Sequence, residues 1–228
     1  RSVNVPNLMF AGRDISATHM GLSSTRVMAT TALLGQAAGT GAALVIKYGT
    51  TPAEVHKDHI GELQDMLEDD DSMLPYRWRK PSALTLTSTT SEANMVLRNG
   101  IDRQWDGADN GVWVAPGEES IVYNWKKPVT ISGARIIFDS EFKYRSKRMR
   151  KLEATTERVE VPRMMTKDFR IEAKTGKGEW TTVYEGKGNY LRLRKIQFEK
   201  PVKANALRLV VDSTWGAEKA HVFAFDAL

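Results

Sequence analysis

The sequence has 228 residues, of which 41% are hydrophobic and 27% are charged, and this composition excludes an intrinsically disordered chain. It contains no cysteine, which excludes disulfides, thiolate metal sites and a cysteine nucleophile. The longest apolar run, residues 42–46, is far shorter than the ~20 residues that cross a bilayer, so we expect no membrane contact.

The net charge of +5 is unevenly distributed along the chain. Residues 1–75 carry 5 Lys and Arg against 9 Asp and Glu, whereas residues 76–228 carry 28 against 19. This change of sign predicts two structural units that meet near Pro75. The basic surplus is spread over many short segments, and its densest cluster, residues 143–151, is typical of a solvated loop. We therefore expect no nucleic-acid partner.

The first fifty residues predict one strand and one helix. Residues 5–12 are a short apolar segment that ends at a glycine, which predicts a buried strand followed by a turn. Residues 27–48 are rich in Ala, Leu and Gly and predict a helix. Its glycines Gly35, Gly39 and Gly41 each cost about 1 kcal/mol of helix propensity relative to Ala. We infer that another surface approaches this helix closely and that it does not face solvent.

Residues 49–54 contain a signal for the end of this helix and a signal for the start of another. Gly49 suits the position after a helix, Thr51 suits an N-cap, and Pro52 suits the first helical position. Glu54 completes a capping box with Thr51. We expect a second helix that continues to about Leu67.

From Ser82 onward the pattern changes to short segments that alternate apolar and polar residues, separated by turn signals. About eight strands are predicted, at residues 84–88, 120–125, 129–138, 168–173, 180–184, 192–198, 206–211 and 220–225. This pattern indicates an antiparallel β-sandwich or jelly roll preceded by about two helices. Residues 143–165 are predicted to form a long, mobile polar loop.

The N-terminal region contains three motifs in close succession: Phe10-Ala-Gly-Arg-Asp-Ile-Ser-Ala-Thr-His19, Ser24-Thr-Arg-Val-Met28 and Leu34-Gly-Gln-Ala-Ala-Gly-Thr40. Residues 3–46 thereby resemble the bacterial FAD-dependent oxidoreductases whose flavin domain ends in G-R-x-I-S-A-[ST]-H, [ST]-R-V-M and G-Q-A-A-G-T. Ala29 and Thr31 depart from the family pattern, which often has Pro and Cys at these positions.

This resemblance implies that the glycine-containing helix points its N-terminus at the flavin. The free N–H groups and partial positive charge of a helix N-terminus suit the negative charge on the pyrimidine side of reduced flavin. The implied cofactor contacts are Gly12, Arg13, Ser16, Arg26, Val27, Met28, Gly35, Gln36 and Ala37. Arg26 could contact a phosphate or a substrate carboxylate. His19 could act as a catalytic acid or base, or could be a structural hydrogen-bond donor in a turn.

The sequence lacks the G-x-G-x-x-G turn with which an FAD-binding domain holds the pyrophosphate, and the glycines of residues 35–41 have the wrong spacing. FAD is therefore expected in the parent protein, whereas this chain alone is predicted to bind no FAD tightly and to catalyse nothing. The implied partner is an upstream flavin-binding half of the same protein. Without the flavin-binding half, the apolar surface of the helix at residues 27–48 would have no partner. We therefore expect this helix to fold back on the sandwich or to associate with another copy of the chain.

A second resemblance covers residues 82–228. Its motifs are Ala93-Asn-Met-Val-Leu-Arg-Asn-Gly100, Trp105, Trp113, Trp125-Lys-Lys-Pro-Val129 and Thr214-Trp-Gly216. In this order they resemble the galactose-binding-like (discoidin, F5/8 type C) sandwich. Because function does not follow from that fold, a carbohydrate-binding module and a docking or structural module both remain open.

The resemblance implies sites that carry an aromatic platform and a basic side chain. The sugar candidates are Arg103, Trp105, Trp113 and Trp215. Trp125 and Trp180 lie in strand patterns and are predicted to be core residues. Some relatives hold Ca²⁺ near the turn that corresponds to Asn99 and Asp102, but the expected acidic partner near the C-terminus is not evident, so no metal is predicted.

The sequence thus divides into three parts. Residues 1–49 are predicted to be the tail of an incomplete FAD-binding domain, residues 50–81 a helical connector and linker, and residues 82–228 the sandwich. The accessory sandwich favours an extracytoplasmic location.

Overall fold

The computed structural model describes residues 1–141 and 161–228, which form two compact units, Arg1–Arg79 and Lys80–Leu228. The finer division at residues 49 and 81 stays a prediction. Residues 143–160 of the loop predicted at residues 143–165 lie outside the described residues. Its last residue, Met165, is buried and belongs to the second unit.

The first unit is helical. Its helices are α1 (His19–Thr25), α2 (Met28–Tyr48), α3 (Pro52–Asp58) and α4 (Ile60–Asp69), and a 3-10 turn spans Gly12–Asp14. The buried strand predicted at residues 5–12 is wrong, because this segment is irregular and both Val5 and Phe10 are 45% exposed. An extended segment needs a neighbouring strand for its backbone hydrogen bonds, and residues 1–79 contain none.

Helix α2 confirms the predicted helix almost to the residue. It begins after Val27 and ends at Gly49, which adopts the left-handed conformation at φ 59°. Its buried residues are Gly41 and Leu44, and a Cβ on Gly41 would lie 3.3 Å from Leu63. Every other residue of α2 is exposed or half-buried, so residues 1–79 do not supply the surface that was expected to cover this helix, and the approach of such a surface stays a prediction.

Among the described residues, α2 is a helix long and apolar enough to cross a membrane, judged by length and composition alone. The sequence expectation missed this because it counted an unbroken apolar run. The Gly, Ala and Thr residues of α2 interrupt such a run without adding charge, and Lys47 is the charged residue of this helix.

The second predicted helix begins as expected and then breaks. Thr51 accepts a hydrogen bond from the Glu54 N–H at 3.3 Å, and Glu54 accepts one from the Thr51 N–H at 2.9 Å, which completes the capping box. The chain leaves helical geometry at His59, which separates α3 from α4. The His59 ring lies flat against Tyr48, with ring centroids 3.8 Å apart, so a contact with α2 accompanies the break.

The second unit is an antiparallel sheet that folds over itself. Its described strands are β1 (Val112–Val114), β2 (Ser120–Phe138), β3 (Thr166–Lys174), β4 (Thr181–Gly186), β5 (Leu193–Thr214) and β6 (Ala220–Ala227), in the sheet order β1-β6-β2-β5-β3-β4. The mainly β fold with N-terminal helices is confirmed. The described residues contain six strands rather than eight, in part because two predicted pairs of strands are continuous: β2 joins residues 120–125 to 129–138, and β5 joins most of 192–198 to 206–211. The short strand β1 was not predicted.

The two long strands let the sheet close on its own core. Pairing between β2 and β5 shifts register between Asn124 and Val129, and an irregularity of this kind bends and twists a pair of strands. Side chains from the two ends then meet in the core: Tyr123 stacks on Phe225 at 5.3 Å between ring centroids, and Phe138 lies 5.1 Å from Phe169.

The strand predicted at residues 84–88 is wrong, because Ala83–Thr87 forms a short helix, α5. The Ser82 hydroxyl accepts a hydrogen bond from the Thr85 N–H at 2.9 Å and caps this helix. The buried Thr85 hydroxyl accepts a hydrogen bond from the Ala227 N–H at 2.8 Å. The alternation of polar and apolar residues in this segment predicted a strand, but its polar residues instead cap a helix and bond to the C-terminal strand.

Of the two predicted core tryptophans, Trp125 is buried and donates its indole N–H to the Leu84 carbonyl at 2.9 Å. Trp180 is only half-buried and lies outside the core, so that prediction is wrong. The Arg208 guanidinium lies 4.3 Å from the Trp180 ring centroid. Trp180 therefore makes a cation–π contact with Arg208 and does not pack in the core.

Candidate functional sites

An exposed stripe of small and apolar residues runs along one face of α2. Its members recur at spacings of three and four residues: Met28, Ala32, Gly35, Gly39, Ala42 and Ile46. Nothing lies within 4 Å of a Cβ built on Gly35 or Gly39, whereas Gly41 lies on the packed face. Because glycine has no side chain, the helix backbone is open to close approach at Gly35 and Gly39, where no residue of this unit packs against it.

The N-terminus of α2 is also open. Val27 occupies the N-cap position and provides no side-chain hydrogen bond to the first turn. Met28, the first helical residue, is 88% exposed. The first turn of this 21-residue helix, at the positive end of its dipole, thus has no side-chain cap from its N-cap residue.

The second unit carries an open cleft of about 480 Å³. Its lining residues combine an aromatic ring with both signs of charge: Trp113, Glu141, Arg163, Met164, Gly216, Ala217, Glu218 and Lys219. A second cleft of about 340 Å³ has Trp113 in its lining together with Asn94 and Glu119. Trp113 is 37% exposed and therefore contributes accessible ring surface to both clefts.

Trp113 is held by one buried histidine and one carboxylate. Its ring lies flat on His221, with centroids 4.2 Å apart and an angle of 6° between the planes. Its indole N–H donates to Asp109 Oδ2 at 3.2 Å. Strand β1 carries Trp113 and pairs it directly with His221 on β6, so the backbone register brings the two rings together.

His221 is fully buried and lies between two carboxylates. Its Nδ1 is 2.8 Å from Asp139 Oδ2, and its Nε2 is 3.0 Å from Asp109 Oδ1. Burial raises the pKa of the Asp139 carboxyl, but hydrogen bonds from His221 and from the Glu141 N–H offset this, and the pKa lies below its ordinary value. A Cβ on Gly111 would lie 2.3 Å from His221 Nε2, so this position requires glycine.

Residues 1–67 match the family model described as FAD dependent oxidoreductase. The N-terminal segment is FAD-oxidoreductase-like. The resemblance stated for residues 3–46 is therefore confirmed, and it extends through α3 and most of α4. No curated protein sequence matches the chain.

Solved structures similar to this chain include carbohydrate-binding modules. The family 32 module from Streptococcus pneumoniae EndoD has 21% identity and a TM-score of 0.46, covering 64% of this chain and 99% of its own. The family 32 module of Clostridium perfringens NanJ in complex with galactose has 17% identity and a TM-score of 0.41, covering 64% and 97%. Chitosan-binding module 1 from Paenibacillus sp. IK-5 has 16% identity and a TM-score of 0.40, covering 64% and 96%. Similarity at this level assigns no ligand to the chain.

The flavin contacts implied by sequence are divided between two faces. Gly12 adopts a positive φ of 77° in its 3-10 turn, and Arg13, Ser16, Arg26, Val27 and Met28 are exposed. Gly35 belongs to the exposed stripe. Gln36 instead accepts a hydrogen bond from the Ser72 hydroxyl at 2.9 Å, and Ala37 lies on the side of Gly41 and Leu44, which face the unit's own packing.

His19 is exposed and is the first residue of α1, a helix that the sequence did not predict. The Thr18 hydroxyl accepts a hydrogen bond from the Gly21 N–H at 3.1 Å and starts this helix. The alternatives for His19, acid or base and structural donor, both stay predictions.

These residues fit one side of a flavin site. The uncapped N-terminus of α2 suits an electron-rich ring edge, and the open glycines allow close approach to the helix backbone. Residues 1–79, all of which the structure describes, contain no sheet and no G-x-G-x-x-G turn of the kind that holds a pyrophosphate.

Neither of the two described clefts contains all four sugar candidates. Trp113 lines the larger cleft, and Trp215 is exposed beside the lining residue Gly216. Trp215 donates its indole N–H to the Asn189 carbonyl at 2.6 Å. Arg103 and Trp105 do not line this cleft.

The calcium candidates are used for other contacts. Asp102 is buried and forms an ion pair with Arg135, while the Asn99 side-chain amide donates to Asn110 Oδ1 at 3.0 Å. Across residues 1–141 and 161–228, no three His, Cys, Asp or Glu side chains form a metal-binding group.

Proposed function

We propose that this chain is the C-terminal part of an FAD-dependent oxidoreductase. Residues 1–49 complete a flavin domain whose remainder is supplied by an upstream half, and the β-sandwich is an accessory domain. In this proposal the chain alone binds no FAD tightly and catalyses nothing.

The exposed stripe of α2 is the observation on which this proposal rests. A helix that keeps Gly35 and Gly39 on an outward face loses about 2 kcal/mol of propensity relative to alanine, without any packing in the described residues that requires them. A closely packed partner surface explains both glycines. The match of residues 1–67 to the FAD dependent oxidoreductase family supports a flavin domain as that partner.

In the assembled protein, the N–H groups that follow Val27 would face the pyrimidine side of the flavin, and Gly12 would allow the preceding turn to approach the ring. Arg13, Ser16 and Arg26 are exposed and available for polar contacts with the cofactor or substrate. The flavin itself would accept and release electrons or hydride. The protein's role at this wall is to orient the ring and to stabilise its negative charge.

The test is a complementation experiment. The 228-residue chain is mixed with a flavin domain of the same family that has been cut before its own G-R-x-I-S-A-[ST]-H segment, and FAD is titrated by flavin fluorescence. We expect no saturable binding to either piece alone and saturable binding to the mixture. Tight FAD binding to the chain alone, or none to the mixture, would contradict the proposal.

Carbohydrate binding is a second candidate for the sandwich, favoured by the larger cleft. An accessible Trp113 ring can stack on the apolar face of a sugar. Arg163, Lys219 and the carboxylates of Glu141 and Glu218 offer hydrogen-bond partners for its hydroxyls. Such a function would suit the extracytoplasmic location expected from sequence.

A glycan array followed by affinity electrophoresis tests this candidate. Trp113→Ala should abolish retention by the glycan that binds, whereas Trp180→Ala, a half-buried tryptophan outside the cleft, should leave retention unchanged. A chain that binds no glycan, or that binds equally well in both variants, would favour a docking or structural role for the sandwich.

A further inference from the structure

The smaller cleft of the sandwich, with a volume of about 340 Å³, is lined by a polar side chain on an otherwise apolar helix face. Asn94 is only 8% exposed, and together with Leu97 it forms the buried side of the 3-10 helix Glu92–Arg98. Residues three apart lie above each other in a 3-10 helix, and Leu97 packs in the core. The amide of Asn94 therefore lies one turn away from an apolar anchor, at the wall of the cleft.

The side-chain amide of Asn94 makes no hydrogen bond to any residue that the structure describes. Its backbone N–H donates to the Ser91 carbonyl at 3.1 Å, so this bond belongs to the helix and not to the side chain. A buried amide without a partner is costly, because it has lost water without gaining a replacement. The amide atoms are not sealed in the interior, and they border the cleft. A donor and an acceptor are thus available to a ligand there.

Trp113 adds an apolar surface to the same cleft. Its ring is stacked on His221 with centroids 4.2 Å apart, and its indole N–H donates to Asp109 Oδ2 at 3.2 Å. Because this N–H is already used, Trp113 offers ring carbons rather than a hydrogen bond to a ligand. Val114 and Ile121 extend the apolar lining. A ligand of this cleft therefore needs one apolar face.

The remaining polar groups of the lining are two hydroxyls and one carboxylate, from Ser91, Ser120 and Glu119. Glu119 Oε2 accepts the Ala115 N–H at 2.9 Å, which fixes the carboxylate. Among the described residues that line this cleft, none is Lys or Arg, whereas the larger cleft has two basic residues in its lining. The smaller cleft thus offers hydrogen bonds in both directions but no cation for an anionic group.

We propose that the smaller cleft is a second ligand site of the sandwich, in which Asn94 and Trp113 hold one neutral sugar unit and Glu119 disfavours acidic sugars. A pyranose has an apolar face for the Trp113 ring and hydroxyls that can donate to and accept from the Asn94 amide. The volume of about 340 Å³ is at the low end for small-molecule sites and suits a single ring. The ligand class rests on the proposed carbohydrate function, whereas the location of the site and the role of Asn94 do not.

Calorimetric titration of the 228-residue chain with the methyl glycosides of galactose, glucose, mannose and N-acetylglucosamine tests the site. Asn94→Ala should weaken the binding of the sugar that binds by at least about tenfold, because its hydroxyls lose a buried partner. Lys219→Ala changes a residue of the larger cleft only and should leave this affinity unchanged. The Asn94 amide has no partner among the described residues, so Asn94→Ala should keep the urea midpoint of the wild-type chain.

Binding that Lys219→Ala weakens and Asn94→Ala does not would place the sugar in the larger cleft, which would overturn this inference and leave the carbohydrate proposal intact. Binding of none of the four glycosides would also overturn it, and the glycan array decides the carbohydrate function separately.

The charge preference has its own test. The matched uronic acid, in which a carboxylate replaces the hydroxymethyl group, should bind at least about threefold more weakly than the neutral sugar at low ionic strength. Glu119→Gln should narrow this difference. Equal affinity of the wild-type chain for the two sugars would overturn the role of Glu119.

Discussion

Arg135 and Asp102 form an ion pair inside the sandwich, with Arg135 Nη1 2.7 Å from Asp102 Oδ2 and both side chains at most 6% exposed. The pair ties the loop that contains Arg103 and Trp105 to strand β2. Arg135→Met should lower the free energy of unfolding by about 3–5 kcal/mol, because it leaves a buried carboxylate without its cation.

Urea denaturation of the variants measures this effect. The double variant Arg135→Met, Asp102→Leu removes both charges and should regain most of the lost stability. A double variant that is as unstable as the single one would mean that packing, rather than charge compensation, accounts for the loss.

Substitution of the α2 glycines should separate its two faces. Gly35→Ala and Gly39→Ala should each raise the stability of the free chain by about 1 kcal/mol, because open space receives the added methyl group. Gly41→Leu should lower it by about 1–3 kcal/mol, because Met9 and Leu63 already occupy that space. Thermal unfolding followed by circular dichroism measures these shifts, and equal effects at positions 35 and 41 would contradict the assignment of the faces.

The sandwich should lose stability in acid. The pKa of Glu172, which is raised by burial and lowered more strongly by hydrogen bonds from Arg170 and Arg208, lies below its ordinary value of 4.5. The stability it contributes is therefore present above pH 4.5 and is lost as the pH falls through the folded-state pKa. Asp139 acts in the same direction, because its pKa also lies below its ordinary value of 3.8.

Urea midpoints measured from about pH 7 to 3 test this dependence. Glu172→Gln should reduce both the stability at neutral pH and the additional loss in acid. Glu185→Gln changes an exposed carboxylate on β4 and should leave the acid loss as it is. An acid loss of the same size in Glu172→Gln would show that other carboxylates are responsible.

The sequence predicts that the apolar surface of α2 either folds back on the sandwich or associates with another copy, and the exposed stripe favours association of the free chain. Sedimentation should show a concentration-dependent dimer, and Ile46→Glu should return it to a monomer by placing charge on the stripe. Tyr76→Glu alters an exposed aromatic residue of the same unit outside α2 and serves as the control. A wild-type monomer at all concentrations would contradict this expectation.

Local signals in the sequence predicted much of the first unit. Gly49 and the Thr51–Glu54 capping box act within a few residues, so the end of α2 and the start of α3 could be read directly. The break at His59 could not, because its stacking partner Tyr48 lies on a different helix. The strand predicted at residues 84–88 failed for a similar reason, since the Thr85 hydroxyl bonds to Ala227 at the far end of the chain.

The candidate sites show the same limit. Trp113 could be named from its motif, but nothing near it in sequence points to His221. The carboxylates that flank His221 lie 82 and 112 positions earlier, and only the pairing of β1 with β6 brings them to one place. The exposed direction of Gly35 and Gly39 likewise depends on which face of α2 packs on α3 and α4.

The most direct test of the flavin proposal places one large side chain on the exposed stripe of α2. In the mixture with the truncated flavin domain, Gly35→Leu should weaken FAD binding at least about tenfold, because it blocks the approach of the partner surface. Gly61→Leu, at a helical glycine of α4 with equally open space, should bind FAD as the wild-type chain does. Equal FAD affinity for the two variants would contradict the claim that the exposed face of α2 is a wall of the flavin site.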